Sequence, residues 1–302
     1  MIKNHICLHI RKQAAGKQAG GFMSESIFTR PARSVSLFPS WSSLRGTLSR
    51  RLQGGRRYVS LVLLLAIWQA GSSFGLISTR TIAAPFTILA TFRDLLLNGE
   101  LIGHMSVSLL RVSAGLVIGI GAGTVLALVA GLTRLGEEIV DAPMQMVRVL
   151  PHLALVPLFI LWFGIGETPK VLLVALGAVF PVYLNLFAGI RSVDRKLLEA
   201  GRTLGLSRRE TITAIVLPGA LPHFLTGLRY AVGIGWLSLV VAEQVNADSG
   251  IGFMMIDARE FLRTDIIVVG LLVYALLGLI ADQGVRWIEA RALRWRPVGL
   301  GA

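Results

Sequence analysis

The sequence predicts an all-α, polytopic integral membrane protein with six transmembrane helices. Three observations carry this: 54% hydrophobic against 16% charged residues, a mean hydropathy of +0.68, and six predominantly apolar runs of membrane-spanning length. Such a composition excludes a water-soluble globule. Collagen-like and disulfide-stapled folds are excluded too, because the 33 glycines show no three-residue period and Cys7 is the single cysteine.

A bilayer core of about 30 Å needs about 20 apolar residues per helix. Runs of that order lie at 59–79, 112–133, 146–166, 170–190, 222–242 and 264–285. Arg148 and Arg229 fall near or within the third and fifth, where long stems can carry the charge to the interface. In the second run Gly115, Gly119 and Gly123 recur every four residues, the spacing that lets another helix backbone approach closely. Pro143, Pro151 and Pro157 punctuate the third run and Pro181 the fourth; each removes a backbone donor and bends its helix.

The net charge of +13 is distributed by topology. Eleven of the 30 Lys and Arg precede residue 59, six lie between Arg191 and Arg209, and four between Arg286 and Arg296. Cytoplasmic segments collect Lys and Arg, so both termini are expected in the cytoplasm of a multi-pass inner-membrane protein. The segment 134–145 is the weak point of this pattern, since Glu137, Glu138 and Asp141 outnumber Arg134 there. No folded basic surface is visible, so nucleic acid is not an expected partner. Residues 1–58 read as a basic, disordered tail, 59–290 as the transmembrane domain and 291–302 as a cytoplasmic end.

The inner segment 191–222, RSVDRKLLEAGRTLGLSRRETITAIVLPGALP, has the signals of two short helices. Asp194 caps the first, and Gly205 suits a left-handed stop. Ser207 and Glu210 form a capping box for the second, with Pro218 and Pro222 expected to end it.

Glu199-Ala200-Gly201, three residues, Gly205, nine residues, Ile215, one residue and Leu217-Pro218 resemble the EAA loop of bacterial ABC importer membrane subunits. The one departure is Gly201, where the family usually has Ala. Three further stretches, Pro151 to Glu167, Val241 to Met254 and Asp257 to Gly278, look like the aliphatic sulfonate permease, in a branch that also holds taurine and nitrate permeases. This resemblance implies two permeases, the second a copy of this chain, paired with two ATP-binding subunits and an outer-face substrate-binding protein. It also implies that Glu199, Ala200, Gly201, Gly205, Ile215, Leu217 and Pro218 form the coupling element seated in the ATPase. Arg208 and Arg209 either add charge contacts there or are ordinary positive-inside residues.

No phosphate loop is present: Gly16-Lys17 and Lys170 lack the preceding glycine spacing and a following Ser or Thr. ATP is therefore expected to be hydrolysed on the partner subunit, with no cofactor bound by this chain. The five histidines have no metal-ligand spacing and no nucleophile elbow occurs, so an enzyme is not expected. A channel is the other rival, distinguished by needing no ATPase.

Polar groups at membrane depth are candidates for the translocation path, which singles out His152, Asn185, Trp236 and Glu243. Plainer readings stand beside these. His152 can bond a carbonyl freed at Pro151, and Trp236 can be an interfacial anchor. Glu243 would repel an anionic cargo and fits contact with the binding protein. Arg111 and Arg229 can lend weak positive potential to the path of an anion, with lipid headgroup contact the simpler account, and the polar residues within spans read as isolated.

Overall fold

The computed structural model describes residues 59–60, 62–78, 82–245 and 247–295, and among them every regular element is helical. The chain divides between Val59 and Ser60 into two units. Residues 1–58, expected as the basic tail, lie outside the described residues.

Ten helices follow in the second unit among the described residues. They are α1 (Val62–Ser73), α2 (Pro85–Leu97), α3 (Glu100–Leu132), α4 (Arg134–Val147), α5 (His152–Phe163), α6 (Glu167–Arg191), α7 (Arg195–Thr203), α8 (Arg208–Gln244), α9 (Ile251–Glu260) and α10 (Thr264–Ala292). Four of them, α3, α6, α8 and α10, are long and apolar enough to cross a membrane, and the bent pair α4–α5 makes a fifth crossing if counted as one.

Among the described residues the helices depart from the six expected spans in three places. α1 stops at Ser73, short of bilayer length, where Gly75 takes a left-handed φ of 73°. The third run is two helices bent by 84° around Pro151, so its prolines break the span outright. The second begins at Glu100 and runs for 33 residues, about 50 Å at 1.5 Å per residue. Charges at Glu100 and Arg111 had cut that run short on hydropathy alone. α2 and α9 are additional helices that their own charges hid. α2 buries Ile88, Thr91 and Leu95 on one face, and its Thr91 hydroxyl donates to Asp265 of α10 at 2.7 Å.

α6 is the centre of the bundle, packed against α3 and α8. The glycine stripe of α3 faces a matching row on α6. A Cβ added at Gly115 would stand 2.6 Å from the Val174 Cβ, one at Gly119 2.7 Å from the Ala178 Cβ, and one at Gly123 3.1 Å from the Val182 Cβ. Two rows with a period of four thus interlock at backbone distance. The outward face of the same helix leaves Leu110 and Val117 exposed, as a lipid-facing surface requires.

At one end of the bundle Glu137 and Asp141 of the 134–145 segment find partners. Arg191 donates to Glu137 at 2.5 Å, and the Tyr183 hydroxyl donates to Asp141 at 2.9 Å. Their excess over Arg134 therefore serves packing between α4 and α6.

Gly119→Ala is expected to destabilise the protein by about 1–3 kcal/mol through overpacking. Gly121→Ala, whose Cβ would meet nothing within 4 Å, is expected to be neutral or stabilising by up to about 1 kcal/mol. Thermal unfolding of the two variants in detergent checks the contrast.

Candidate functional site: the helical loop and the buried polar cluster

The segment between α6 and α8 folds as its local signals dictate. Asp194 accepts from the Lys196 amide at 2.9 Å and starts α7. At its other end Gly205 adopts φ 79°, the Gly205 amide donates to Arg202 O and the Leu206 amide to Gly201 O, each at 3.0 Å. This is a Schellman stop, which glycine enters without a Cβ penalty. Ser207 and Glu210 close the capping box: the Ser207 amide donates to the Glu210 carboxylate at 2.8 Å and the Glu210 amide to the Ser207 hydroxyl at 3.3 Å. The Ser207 hydroxyl, 2.6 Å from the Glu210 carboxylate, and then the Ser207 amide hold that carboxyl below the usual carboxylate range.

Pro218 and Pro222 do not end the second helix. α8 continues through both to Gln244, after a widened π turn at Ile212–Val216. That turn shifts the backbone register just before Leu217-Pro218 and relieves the clash a proline ring makes with the carbonyl four residues back. The loop therefore joins the span as one rigid rod.

Gly201 and Ile215 are partners across the loop. A Cβ at Gly201 would come within 2.9 Å of the Ile215 Cδ1, so the small residue at 201 makes room for the isoleucine of the other helix. Glu199, Ala200, Gly205, Arg209 and Leu217 are exposed and Pro218 half-buried. At the apex Leu204 is 81% exposed. Arg208 turns inward: its Nη2 donates at 3.1 Å to the carbonyl of Leu132, the last residue of α3. It answers an orphan carbonyl of a helix end and ties the loop to a second span.

The four residues singled out for the path separate into different environments. His152 Nε2 lies 2.9 Å from the Ser238 hydroxyl. That hydroxyl gives its proton to Ile234 O at 2.8 Å, so the imidazole is the donor; the expected bond to a carbonyl at Pro151 is replaced by one to α8. Asn185 donates at 2.8 Å to Pro181 O within its own helix. Trp236 is buried in the core, not interfacial, with its ring 6.2 Å edge-on from Tyr274.

Glu243 lies at the centre of a polar cluster and is 1% exposed. It accepts from Ser108 at 2.8 Å, Arg111 Nη1 at 2.8 Å, the Tyr274 hydroxyl at 2.7 Å and the Gly252 amide at 3.0 Å. Arg111, itself 1% exposed, also donates to Ser249 O at 2.6 Å and grips Glu167 with Nε at 2.5 Å and Nη2 at 2.6 Å. Lys170 completes the group, 3.3 Å from Glu167. Contact of Arg111 with lipid headgroups and of Glu243 with a soluble protein are both corrected by this burial, and so is the isolation of the intramembrane polar residues. Buried charges are stable only when paired. Sequence reasoning missed Ser108, Glu167, Lys170 and Tyr274, and weighed Arg111 only as a weak positive potential beside lipid headgroup contact. One signal existed: Arg111 stands four residues before Gly115, so it continues the inward-facing glycine stripe.

Membrane-length helices joined by a rigid, exposed helical loop have the architecture of a membrane transport subunit. The chain belongs to the family of binding-protein-dependent transport system inner membrane components, which it matches over residues 115–294. It is therefore a multi-pass membrane transport component of the ABC type and not an enzyme, and its family works with ATP-binding subunits and a substrate-binding protein.

Among relatives, the protein named aliphatic sulfonates transport permease SsuC of Escherichia coli (strain K12) is 47% identical over 78% of this chain and 89% of its own length. Its namesake in Bacillus subtilis (strain 168) is 43% identical over 82% and 92%. The taurine transport system permease protein TauC of E. coli (strain K12) is 35% identical over 78% and 88%. A solved structure titled "Crystal structure of an amino acid ABC transporter with histidines" superposes with a TM-score of 0.56 at 19% identity, over 66% of this chain and 98% of that one, and shares the fold.

Two substitutions test the loop and the cluster. Gly205→Ala is expected to cost about 1–2 kcal/mol, the penalty of a Cβ in the left-handed region, while Gly201→Ala is neutral to stabilising by up to about 1 kcal/mol, because only the end of Ile215 must move. Glu243→Ala leaves Arg111 without one of its two carboxylates and is expected to cost about 3–5 kcal/mol. Unfolding midpoints in detergent measure all three.

Proposed function

We propose that this chain is the permease of an ATP-driven importer carrying an aliphatic sulfonate across the cytoplasmic membrane by alternating access. The loop supports the mechanical part of this reading. An exposed leucine stands at the apex of two rigidly capped helices, one continuous with α8 and tied through Arg208 to α3. Apolar surface held out on a stiff support is what a docking partner buries.

In this reading the loop faces the cytoplasm with both termini. Glu199, Ala200, Gly201, Gly205, Ile215, Leu217 and Pro218 form the coupling element, with Arg209 on its outer surface and Arg208 as the strut to α3. ATP is bound and hydrolysed on the partner subunits and none on this chain. Two copies of the permease pair in the lipid bilayer, and closure of the ATP-binding subunits pushes both loops. Each push is transmitted along α8 and α3, a two-state change biased by a ligand. His152, Asn185 and Trp236 contribute to the path between the helices, while Glu243 anchors the packing beside it. The sulfonate cargo rests on the 43–47% identity to the sulfonate permeases.

Burying a leucine contributes about 1.5–3 kcal/mol, so Leu204→Asp is expected to weaken copurification with the ATP-binding subunit by about ten- to a hundredfold. Undiminished copurification would refute the docking role. Deletion of the gene is expected to abolish growth on ethanesulfonate as sole sulfur source and leave growth on sulfate intact; unchanged growth on ethanesulfonate would remove the cargo.

A further inference from the structure

The polar cluster contains two cations, Arg111 and Lys170, and two carboxylates, Glu167 and Glu243, and these four are not equivalent. Arg111, Lys170 and Glu243 are 1%, 3% and 1% exposed, whereas the Glu167 side chain is 56% exposed. Glu243 is locked by donors from α3, α9 and α10. Glu167 has partners only in the two cations, at 2.5 and 2.6 Å from Arg111 and 3.3 Å from Lys170. It is also the first residue of α6, directly after Gly166, where no preceding helical turn holds its side chain. Glu167 is thus a removable anion on two buried cations, and its departure leaves the cluster with a net positive charge.

From this the geometry points to an oxyanion site made by Arg111 and Lys170, which Glu167 fills from within the chain and which a sulfonate head group takes over by displacing it. The outer edge of the Arg111 guanidinium, Nε and Nη2, presents two parallel donors. Any two oxygens of a sulfonate match that fork as a carboxylate does. The third oxygen, which a carboxylate lacks, is left for Lys170. Exchange of one anion for another keeps both buried cations compensated throughout, so the site can be filled and emptied without exposing an unpaired charge. Beside Lys170, Phe159, Ile165 and Leu173 line an apolar recess of only about 10 Å³, so the assignment covers the head group and not its tail. The inference rests on the sulfonate reading of the cargo and adds the residues that receive it.

The test uses the assembled complex of this chain with its ATP-binding subunits in nanodiscs, and compares wild type with Glu167→Gln. Unfolding midpoints are measured with millimolar ethanesulfonate, sulfate or the uncharged ethanesulfonamide at matched ionic strength. Ethanesulfonate is expected to raise the Glu167→Gln midpoint by several degrees and the wild-type midpoint by less, because the resident carboxylate competes. Ethanesulfonamide should do nothing, and adding Lys170→Gln should abolish the response. If Glu167→Gln does not fold, Glu167→Asp, whose shorter side chain reaches the fork poorly, is expected to show the same order of ligands with smaller shifts. A variant indifferent to both anions overturns the site, and a response to sulfate alone overturns its assignment to a sulfonate. Ethanesulfonate uptake by the wild-type complex is measured separately: absent uptake with a persisting Glu167→Gln response removes the cargo reading and leaves the oxyanion site.

Discussion

The carboxylate of Glu243 is where one half of the bundle is held together. It belongs to α8 and receives donors from α3, α9 and α10, and through Arg111 it is tied to Glu167 at the start of α6. In an environment without water, each of these groups has to be answered inside the protein. Meeting that requirement at one point fixes the mutual placement of five helices. It also explains the glycine of the α8–α9 connection: the Gly250 backbone, at φ 109°, lies on the Arg111 and Glu243 side chains with no room for a Cβ.

The opposite half is held differently. There the glycine stripe of α3 and the facing row of α6 give close backbone packing, and ion pairs such as Arg191 with Glu137 close the rim. The helical loop is rigid for local reasons, two caps and a Schellman stop, and rigid towards the bundle because α8 runs on without interruption and Arg208 grips the end of α3. A push on Leu204 therefore reaches two spans. The bent pair α4–α5 touches this frame through His152 and Ser238, a polar contact between a broken helix and a continuous one.

Transport subunits need stiff elements that move against one another and few polar groups that can change partners. Here the stiff elements are α3, α6 and α8 with the loop. Glu167, alone of the four buried-cluster charges, stands at the edge with solvent access, so it is the member able to change partners without unmaking the fold.

Apolar runs, the glycine stripe and the caps of the loop were legible because each acts over a few residues. Asp194, Gly205, Ser207 and Glu210 do in the structure what their types and spacing predict. What the chain alone left undecided involves partners far apart: Arg111 meets Glu167 56 residues on and Glu243 132 residues on. Without that meeting, an arginine in an apolar run reads as a headgroup contact and a glutamate at a helix end as a surface residue. The prolines show the same division. A local rule stops a helix at Pro218, but a π turn and the packing of α8 against α6 carry it through, because tertiary contacts along a long span outweigh the loss of single backbone bonds. Sequence determined which segments enter the membrane and how the loop is built; only the tertiary structure decided which charges face each other, since that depends on helices brought together by packing.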